Sequence, residues 1–150
     1  MTKKTRSSAD KIQLKSRVNS GWIECEAGEL FSKLSKDSSS SVVDVPREVA
    51  FVGPFGRDAD VVSLIKVRPK RLWKISTESH QVSVLVSSTV VTVDGVTPIT
   101  LVKRGDLVLT ENGMETVFSS ASHLYDSDTY VPRSPEHVLL NGICVRTPGV

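Results

Sequence analysis

The sequence predicts an all-β domain built from short, strongly bent strands, with at most one short helix. Three observations support this fold class. Short Val-rich runs recur between Pro and Gly residues from position 42 onward. Two dipeptides, Asp94-Gly95 and Asn112-Gly113, have the composition of hairpin turns and lie between strand-like runs. The chain has 150 residues, of which 39% are hydrophobic, so one domain can bury a substantial core.

The first 24 residues predict a basic N-terminal arm, and we expect the domain itself to span residues 25–150. One acid, Asp10, stands in the first 17 residues against six basic side chains that are candidate binding residues: Lys3, Lys4, Arg6, Lys11, Lys15 and Arg17. A segment of this kind is typical of a solvated tail or of an arm that binds an acidic partner. The net charge of +2 is too small to favour nucleic acid, which stays a second alternative.

Residues from Glu29 to Lys36 predict the one short helix, because Leu30, Phe31 and Leu34 have helical spacing. A Ser-rich loop follows, and the pattern then changes to strands. The strand-like runs are 42–45, 49–52, 61–67, 72–75, 82–93, 107–110 and 115–118.

Two loops supply further candidate binding residues. Pro54 to Asp58 predicts a turn that presents an exposed aromatic, Phe55. Tyr130 to Pro135 predicts a proline-flanked loop around Pro132, whose simpler interpretation is a connection between strands.

The last third of the chain, from His123 to Thr147, contains the most informative motif. Tyr125-Asp126 is followed by His137, by two apolar residues, by Asn141-Gly142 and by alternating apolar residues. This order resembles the closing segment of the Hint domain, the self-processing module of inteins and hedgehog-type proteins. In that family the segment ends in His-Asn, whereas Arg146-Thr147 stand here. The resemblance implies a Hint/intein-like fold of bent β-ribbons that has lost at least part of the reaction.

The middle of the chain extends the resemblance. A Gly turn at 94–95 and an apolar stretch ending in Gly-Asp at 105–106 follow the family's order. The family's Thr-x-x-His element has two candidate positions. The apolar register favours Val86–Thr89, where both functional residues are absent, and His80 is then a polar residue at a turn. A literal match is Thr77–His80, nine residues earlier.

Cys25-Glu26-Ala27-Gly28 resembles the family's opening, which implies that Cys25 takes the place of the nucleophile. In the family, a Cys thiol attacks the preceding carbonyl and a His protonates the departing amide nitrogen. The final step needs an Asn that cyclises, and Thr147 cannot do so, so splicing is not expected. An autoprocessing domain would use Cys25 with His80 or His137. The simpler interpretations are a buried small side chain for Cys25 and a backbone-bonding residue for His137.

We expect no catalytic residues and favour a structural or assembly protein built on a degenerate Hint-like domain. The resemblance implies other protein subunits as partners, homo-oligomers included, in the cytoplasm or in a virion such as a bacteriophage tail or baseplate. The alternative is autoprocessing before Cys25 through a thioester.

The sequence predicts no metal and no cofactor, since two cysteines make neither a disulfide framework nor a metal site. It also contains no membrane-spanning run and no signal peptide. In a Hint fold the opening and closing strands meet, so we expect Cys25 and Cys144 to lie close in space.

Overall fold

The computed structural model describes residues 8–18, 21–35, 40–46 and 49–147. Within these ranges the chain forms fifteen strands, one α-helix and three short 3-10 turns. The N-terminal elements are β1 Gln13–Val18, β2 Gly21–Glu26, α1 Ala27–Leu34, β3 Val42–Asp44, β4 Ala50–Val52, β5 Asp58–Ala59, β6 Ser63–Val67 and β7 Arg71–Thr77. The remaining strands are β8 Gln81–Val84, β9 Thr89–Thr92, β10 Gly95–Pro98, β11 Leu107–Thr110, β12 Gly113–Leu124, β13 Thr129–Arg133, β14 Val138–Leu140 and β15 Ile143–Arg146. The architecture is therefore mostly β with one helix, as predicted.

Twelve strands form one long, bent sheet in the order β5-β4-β1-β14-β15-β9-β11-β12-β7-β8, with β10 on β9 and β2 on β1. A second sheet has the order β13-β6-β3. The pairing of β1 with β14, through Leu14 and Leu140, joins the two ends of the described chain. The strand pairings among the described residues are antiparallel, which suits short strands connected by tight hairpins.

The hairpin turns occur where the sequence predicts them. Gly95 and Gly113 pair with the last residues of β9 and β11, and both adopt positive φ. Gly tolerates this conformation without a steric penalty. In each hairpin a threonine, Thr92 or Thr110, bonds its own turn through its side chain.

The main core is made of apolar side chains from nearly every element, including Leu14, Ile75 and Leu140. Helix α1 closes one side of it. Ala27 and Phe31 are four residues apart and buried on the same face of the helix. The helix occurs two residues earlier than the predicted 29–36 segment. In the described residues, no helix has the length and apolarity needed to cross a bilayer.

The described part of the predicted N-terminal arm lies inside the domain. Strand β1 and most of β2 precede Cys25, and Leu14 is completely buried. The expected boundary between residues 24 and 25 is therefore wrong for these residues, because it falls within a paired strand. Residues 1–7, with Lys3, Lys4 and Arg6, lie outside the described residues.

Candidate functional site

The Asn141-Gly142 turn between β14 and β15 connects three other elements. The Asn141 side chain accepts a hydrogen bond from the Gln13 amide at 2.6 Å and donates to the Gln81 carbonyl at 3.0 Å. The Asn141 amide donates back to the Gln13 carbonyl at 2.9 Å, and the Glu111 amide donates to the Gly142 carbonyl at 2.8 Å. The turn therefore fixes the ends of β1, β8 and β11 relative to one another.

His80 lies directly on this turn. Thr77 and His80 close the β7–β8 connection, with the His80 amide donating to the Thr77 hydroxyl at 3.1 Å. The His80 ring packs against Gly142 so closely that a Cβ at position 142 would lie 2.5 Å from Nε2. Its side chain is 9% exposed. His80 lies next to a turn, as expected, but its side chain is largely enclosed and not solvated.

Two carboxylates hold the His80 ring. Nε2 lies 2.7 Å from an oxygen of Glu111, and Nδ1 lies 3.1 Å from an oxygen of Glu115. An ionised carboxylate can only accept, so a neutral ring donates to one of these glutamates and a protonated ring donates to both. Lys15 of β1 completes the group through a hydrogen bond and ion pair with Glu111. We call Lys15, His80, Glu111 and Glu115 the charge cluster.

The charge cluster keeps its carboxylates ionised. Burial by itself would raise the pKa of Glu111, but hydrogen bonds from Lys15 and His80 outweigh it, and the pKa lies below its ordinary value. Burial likewise opposes ionisation of Glu115, and bonds from Thr77 and His80 again lower its pKa. The positive charge of Lys15 and the hydrogen bonds from His80 thus offset the carboxylate charges, which reduces the cost of placing them at a partly buried position.

The cluster borders a polar cleft of about 490 Å³. Glu24 of β2 and Glu78 of the β7–β8 turn also line it. Across the described residues, no three His, Cys, Asp or Glu side chains converge as ligands for a metal ion. Both His80 nitrogens lie within hydrogen-bond distance of a glutamate carboxylate in this arrangement.

His137 forms a second, separate site with Thr89. Its Nε2 lies 3.1 Å from the Thr89 hydroxyl. Thr89 pairs with Arg146 across β9 and β15. Burial lowers the pKa of His137, and the nearby Arg146 lowers it further, so the neutral ring is favoured. Thr89 is the position at which the favoured register would place the missing histidine. The structure brings it together with His137 and Arg146 of the closing segment.

Cys25 faces away from the charge cluster. It lies within β2 opposite Leu14, between Glu24 and Glu26, and its half-buried side chain packs against the main core. Neighbouring side chains of a strand point to opposite faces, which agrees with Glu24 lining the cleft. Burial raises the pKa of the Cys25 thiol, although a hydrogen bond with Ser16 opposes the shift. A thiol with a raised pKa is a poor nucleophile.

The expected proximity of Cys25 and Cys144 is not observed. Strands β1 and β14 lie between the strands that carry them, and the two side chains belong to different apolar clusters. Both are free cysteines. Cys144 is fully buried, and burial raises its pKa to about 12.

The two residues predicted on exposed loops, Phe55 and Pro132, differ in their exposure. Phe55 is 83% exposed, as expected, and adopts a left-handed φ of 60° that is rare for a bulky residue. Pro132 was expected on an exposed loop, but it is buried in β13 opposite Leu64, so this expectation is wrong.

The basic candidate binding residues that the structure describes are Lys11, Lys15 and Arg17, and they lie in or next to strand β1. Lys11 forms an ion pair with Glu26 at 3.7 Å, and Lys15 is part of the charge cluster. Arg17 pairs through its backbone with Trp22 and Ala50.

Comparisons with known proteins identify the fold. No protein-family profile matches the sequence, and no curated protein sequence matches it significantly. Solved structures of inteins match over nearly the whole chain. The transcription factor IIB Mvu mini-intein has a TM-score of 0.71 and 15% identity, covering 94% of this chain and 100% of that one.

Two further structures show the same likeness. The TvoVMA intein has a TM-score of 0.68 and 18% identity, covering 92% of this chain and 98% of its own. The DnaB intein from Synechocystis sp. PCC 6803 has a TM-score of 0.65 and 11% identity, covering 95% and 97%. At these identities the likeness establishes the fold, which is intein-like as the closing motif implied.

The extent of the match shows where Cys25 stands within the intein-like fold. A coverage of 94% leaves about nine of the 150 residues outside the match, whereas 24 residues precede Cys25. The intein-like fold therefore begins upstream of Cys25, and this cysteine does not stand at its start. The residues that sequence analysis missed are Glu111 and Glu115, whereas Lys15 was predicted as a binding residue of the basic arm and not as part of this cluster. The two glutamates flank the recognised Asn112-Gly113 turn, which is the one signal that could have drawn attention to them.

Proposed function

We propose that this chain is a non-catalytic structural protein that uses an intein-like β-domain as a rigid scaffold. One observation carries the proposal: the two groups that a thioester mechanism needs are both committed elsewhere. The ring nitrogens of His80 face Glu111 and Glu115, and the thiol of Cys25 packs against the core with a raised pKa.

The backbone before Cys25 supports the same conclusion. An N-to-S acyl shift is helped by a strained scissile peptide. The Glu24-Cys25 peptide instead lies within a continuous antiparallel ladder, opposite Leu14 and Lys15. Neither Glu24 nor Cys25 has a positive φ.

A scaffold acts through its partners, and we propose other protein subunits as that class. Phe55 supports this choice, because a large aromatic side chain at the tip of a short turn is the kind of anchor that dominates protein interfaces. The turn is closed by two backbone hydrogen bonds, from the Gly53 amide to Arg57 at 2.7 Å and from the Arg57 amide to Pro54 at 3.2 Å. An assembly in the cytoplasm or in a virion is the setting that the family resemblance suggests.

The test is the intact mass of the purified protein before and after long incubation with a strong thiol and with hydroxylamine. We expect the full-length mass to persist, with identical behaviour of the wild type and the Cys25→Ala variant. Loss of residues 1–24 in the wild type alone would show that Cys25 forms a thioester, and the autoprocessing function would replace the structural one.

A further inference from the structure

The sheet carries a second apolar cluster on the face opposite the main core. Val52, Leu109, Leu139 and Cys144 are buried there, with Val91 packed against them at partial exposure. Adjacent residues of β9 and β11, Val90 and Val108, belong to the main core instead. Since side chains alternate along a strand, this cluster occupies the outer face of the same strands.

The strand register continues the outer cluster into exposed side chains. Val96 of β10 pairs with Val91, and Met114 of β12 pairs with Leu109. The pairing of Val108 with Thr92 places Leu109 beside Val91, and one residue further on it places Leu107 beside Val93. We call Val93, Val96, Leu107 and Met114 the outer apolar face.

These four residues are exposed although they continue a buried cluster. Val93 and Val96 are 67% and 65% exposed, and Leu107 and Met114 are 37% and 40% exposed. Phe118, at the bulge in β12, adds a further exposed aromatic side chain. An exposed apolar patch that is continuous over neighbouring strands is typical of an interaction surface.

The area of the face indicates how strong an interface it can make. With roughly 100 Å² for a fully exposed aliphatic side chain and roughly 200 Å² for Phe, the four residues of the face and Phe118 together expose about 300 Å². Two copies would bury about 600 Å² of apolar surface. Since about 57% of an average interface is apolar, the total would be about 1,000 Å², the lower limit of a specific interface.

The charges beside the face favour a second copy of this chain as the occupant. Asp94 lies at the β9–β10 turn, next to Val93, and Lys103 and Arg104 precede β11 and Leu107. In a two-fold symmetric contact each patch meets itself, so a border of one sign would repel, whereas a border of both signs can pair.

We infer that the outer apolar face is the contact surface of a weak, symmetric homodimer. This inference deepens the proposed scaffold role and rests on it for its purpose, but it does not depend on the chemistry of Cys25. The mass measurement and the sedimentation experiment below report different properties, so the failure of one can be told from the failure of the other.

The experiment is sedimentation velocity of the wild type over a range from about 10 µM to about 500 µM, which covers the dissociation constants of weak interfaces. We expect the sedimentation coefficient to rise with concentration toward that of a dimer. Val96→Lys and Leu107→Lys place a charge on the face and should keep the protein monomeric throughout. Leu124→Lys is the matched control, because Leu124 is 77% exposed on the other half of β12.

A thermal melt of each variant separates loss of the dimer from loss of the fold. If the charged variants do not fold, amide chemical shifts of the wild type on dilution give the same information, and they should change at β9, β10 and β11. A wild type that stays monomeric at every concentration would overturn the inference. So would a dimer that only Leu124→Lys disrupts, or shift changes confined to another face.

Discussion

The Nε2 atom of His80 lies 2.7 Å from a carboxylate oxygen of Glu111, although 31 positions separate the two residues. This contact joins the β7–β8 turn to the β11–β12 turn, and Lys15 extends it to β1. A histidine that the sequence offers as a proton donor is thus part of a structural network that connects distant strands.

Removal of Glu115 is expected to destabilise the protein. Its side chain is 10% exposed and bonds both His80 and Thr77, so Glu115→Ala removes a partner of the His80 ring and the shorter of the two hydrogen bonds that the Thr77 hydroxyl donates. We expect a loss of about 1–3 kcal/mol in the free energy of unfolding, measured by urea denaturation. Glu78→Ala is the control, because Glu78 is exposed in the neighbouring turn and should change stability by less than about 0.5 kcal/mol. Equal effects of the two variants would contradict the role of the cluster.

The charge cluster also predicts a dependence of stability on acid. The pKa values of Glu111 and Glu115 are lowered from 4.5 by folding, so the folded protein binds their protons more weakly than the unfolded chain does. Their stabilisation is complete above pH 4.5 and is lost as the pH falls through the lower folded values. The melting temperature should therefore fall more steeply between about pH 6 and about pH 3 in the wild type than in Glu111→Gln/Glu115→Gln. Parallel profiles would show that these two carboxylates are not the groups responsible.

Gly142 should tolerate no side chain while His80 is present. A Cβ at this position would lie 2.5 Å from Nε2 of His80 and 2.6 Å from an oxygen of Glu111, at a φ of +85°. We expect Gly142→Ala to cost about 2–4 kcal/mol, from backbone strain and from displacement of the ring.

Gly95→Ala provides the matched control for that variant. Gly95 has a φ of +102° but nothing within 4 Å of an added Cβ, so only the backbone strain of about 1 kcal/mol applies. Combining Gly142→Ala with His80→Ala should recover part of the loss, measured as a double-mutant cycle in urea. Additive effects would mean that the ring does not cause the clash.

Phe55 is held in a left-handed conformation that glycine adopts more readily. Phe55→Gly removes a side chain that is 83% exposed and has little packing to lose, so we expect a gain of up to about 1 kcal/mol in the free energy of unfolding. Phe51→Ala, in the same region, should instead lose about 3–5 kcal/mol, because Phe51 is completely buried. A destabilised Phe55→Gly would indicate that this aromatic ring packs against the domain.

The two thiols are expected to differ from ordinary exposed cysteines in reactivity. Cys144 is fully buried with a pKa of about 12, so alkylation by iodoacetamide near pH 8 should leave it unmodified in the native protein. Cys25 should react more slowly than a free thiol, since its pKa is also raised. Mass spectrometry after labelling in native buffer and in urea checks both statements, and rapid native labelling of Cys144 would contradict its burial.

The parts of the fold that the sequence predicts are those specified by local signals. Asp94-Gly95, Asn112-Gly113 and Asn141-Gly142 each form a turn, because the positive φ that these turns need restricts the residue types that can form them. The closing motif predicted the intein-like fold, because it combines a characteristic apolar spacing with the Asn141-Gly142 turn.

The errors occur where distant partners determine the structure. Strand β1 alternates polar and charged residues around Leu14, a pattern that is typical of a solvated arm. It becomes a central strand because Glu111 pairs with Lys15 and β14 pairs with Leu14. The burial of Pro132 has a similar origin, in the pairing of β13 with β6. No local pattern records such partners, so the charge cluster and the start of the domain could not be located from the sequence.

The contact between Gln13 and Asn141 spans 128 positions of the chain. During synthesis on the ribosome, β1 emerges more than a hundred residues before its partner β14. The N-terminal strand must therefore wait, without its central neighbour, until the final hairpin has left the exit tunnel. Closing so long a loop is entropically costly and favours slow, late completion of the fold. Newly made chains are consequently most exposed to chaperones and proteases in the interval before β14 emerges, when the two ends of the domain have yet to meet.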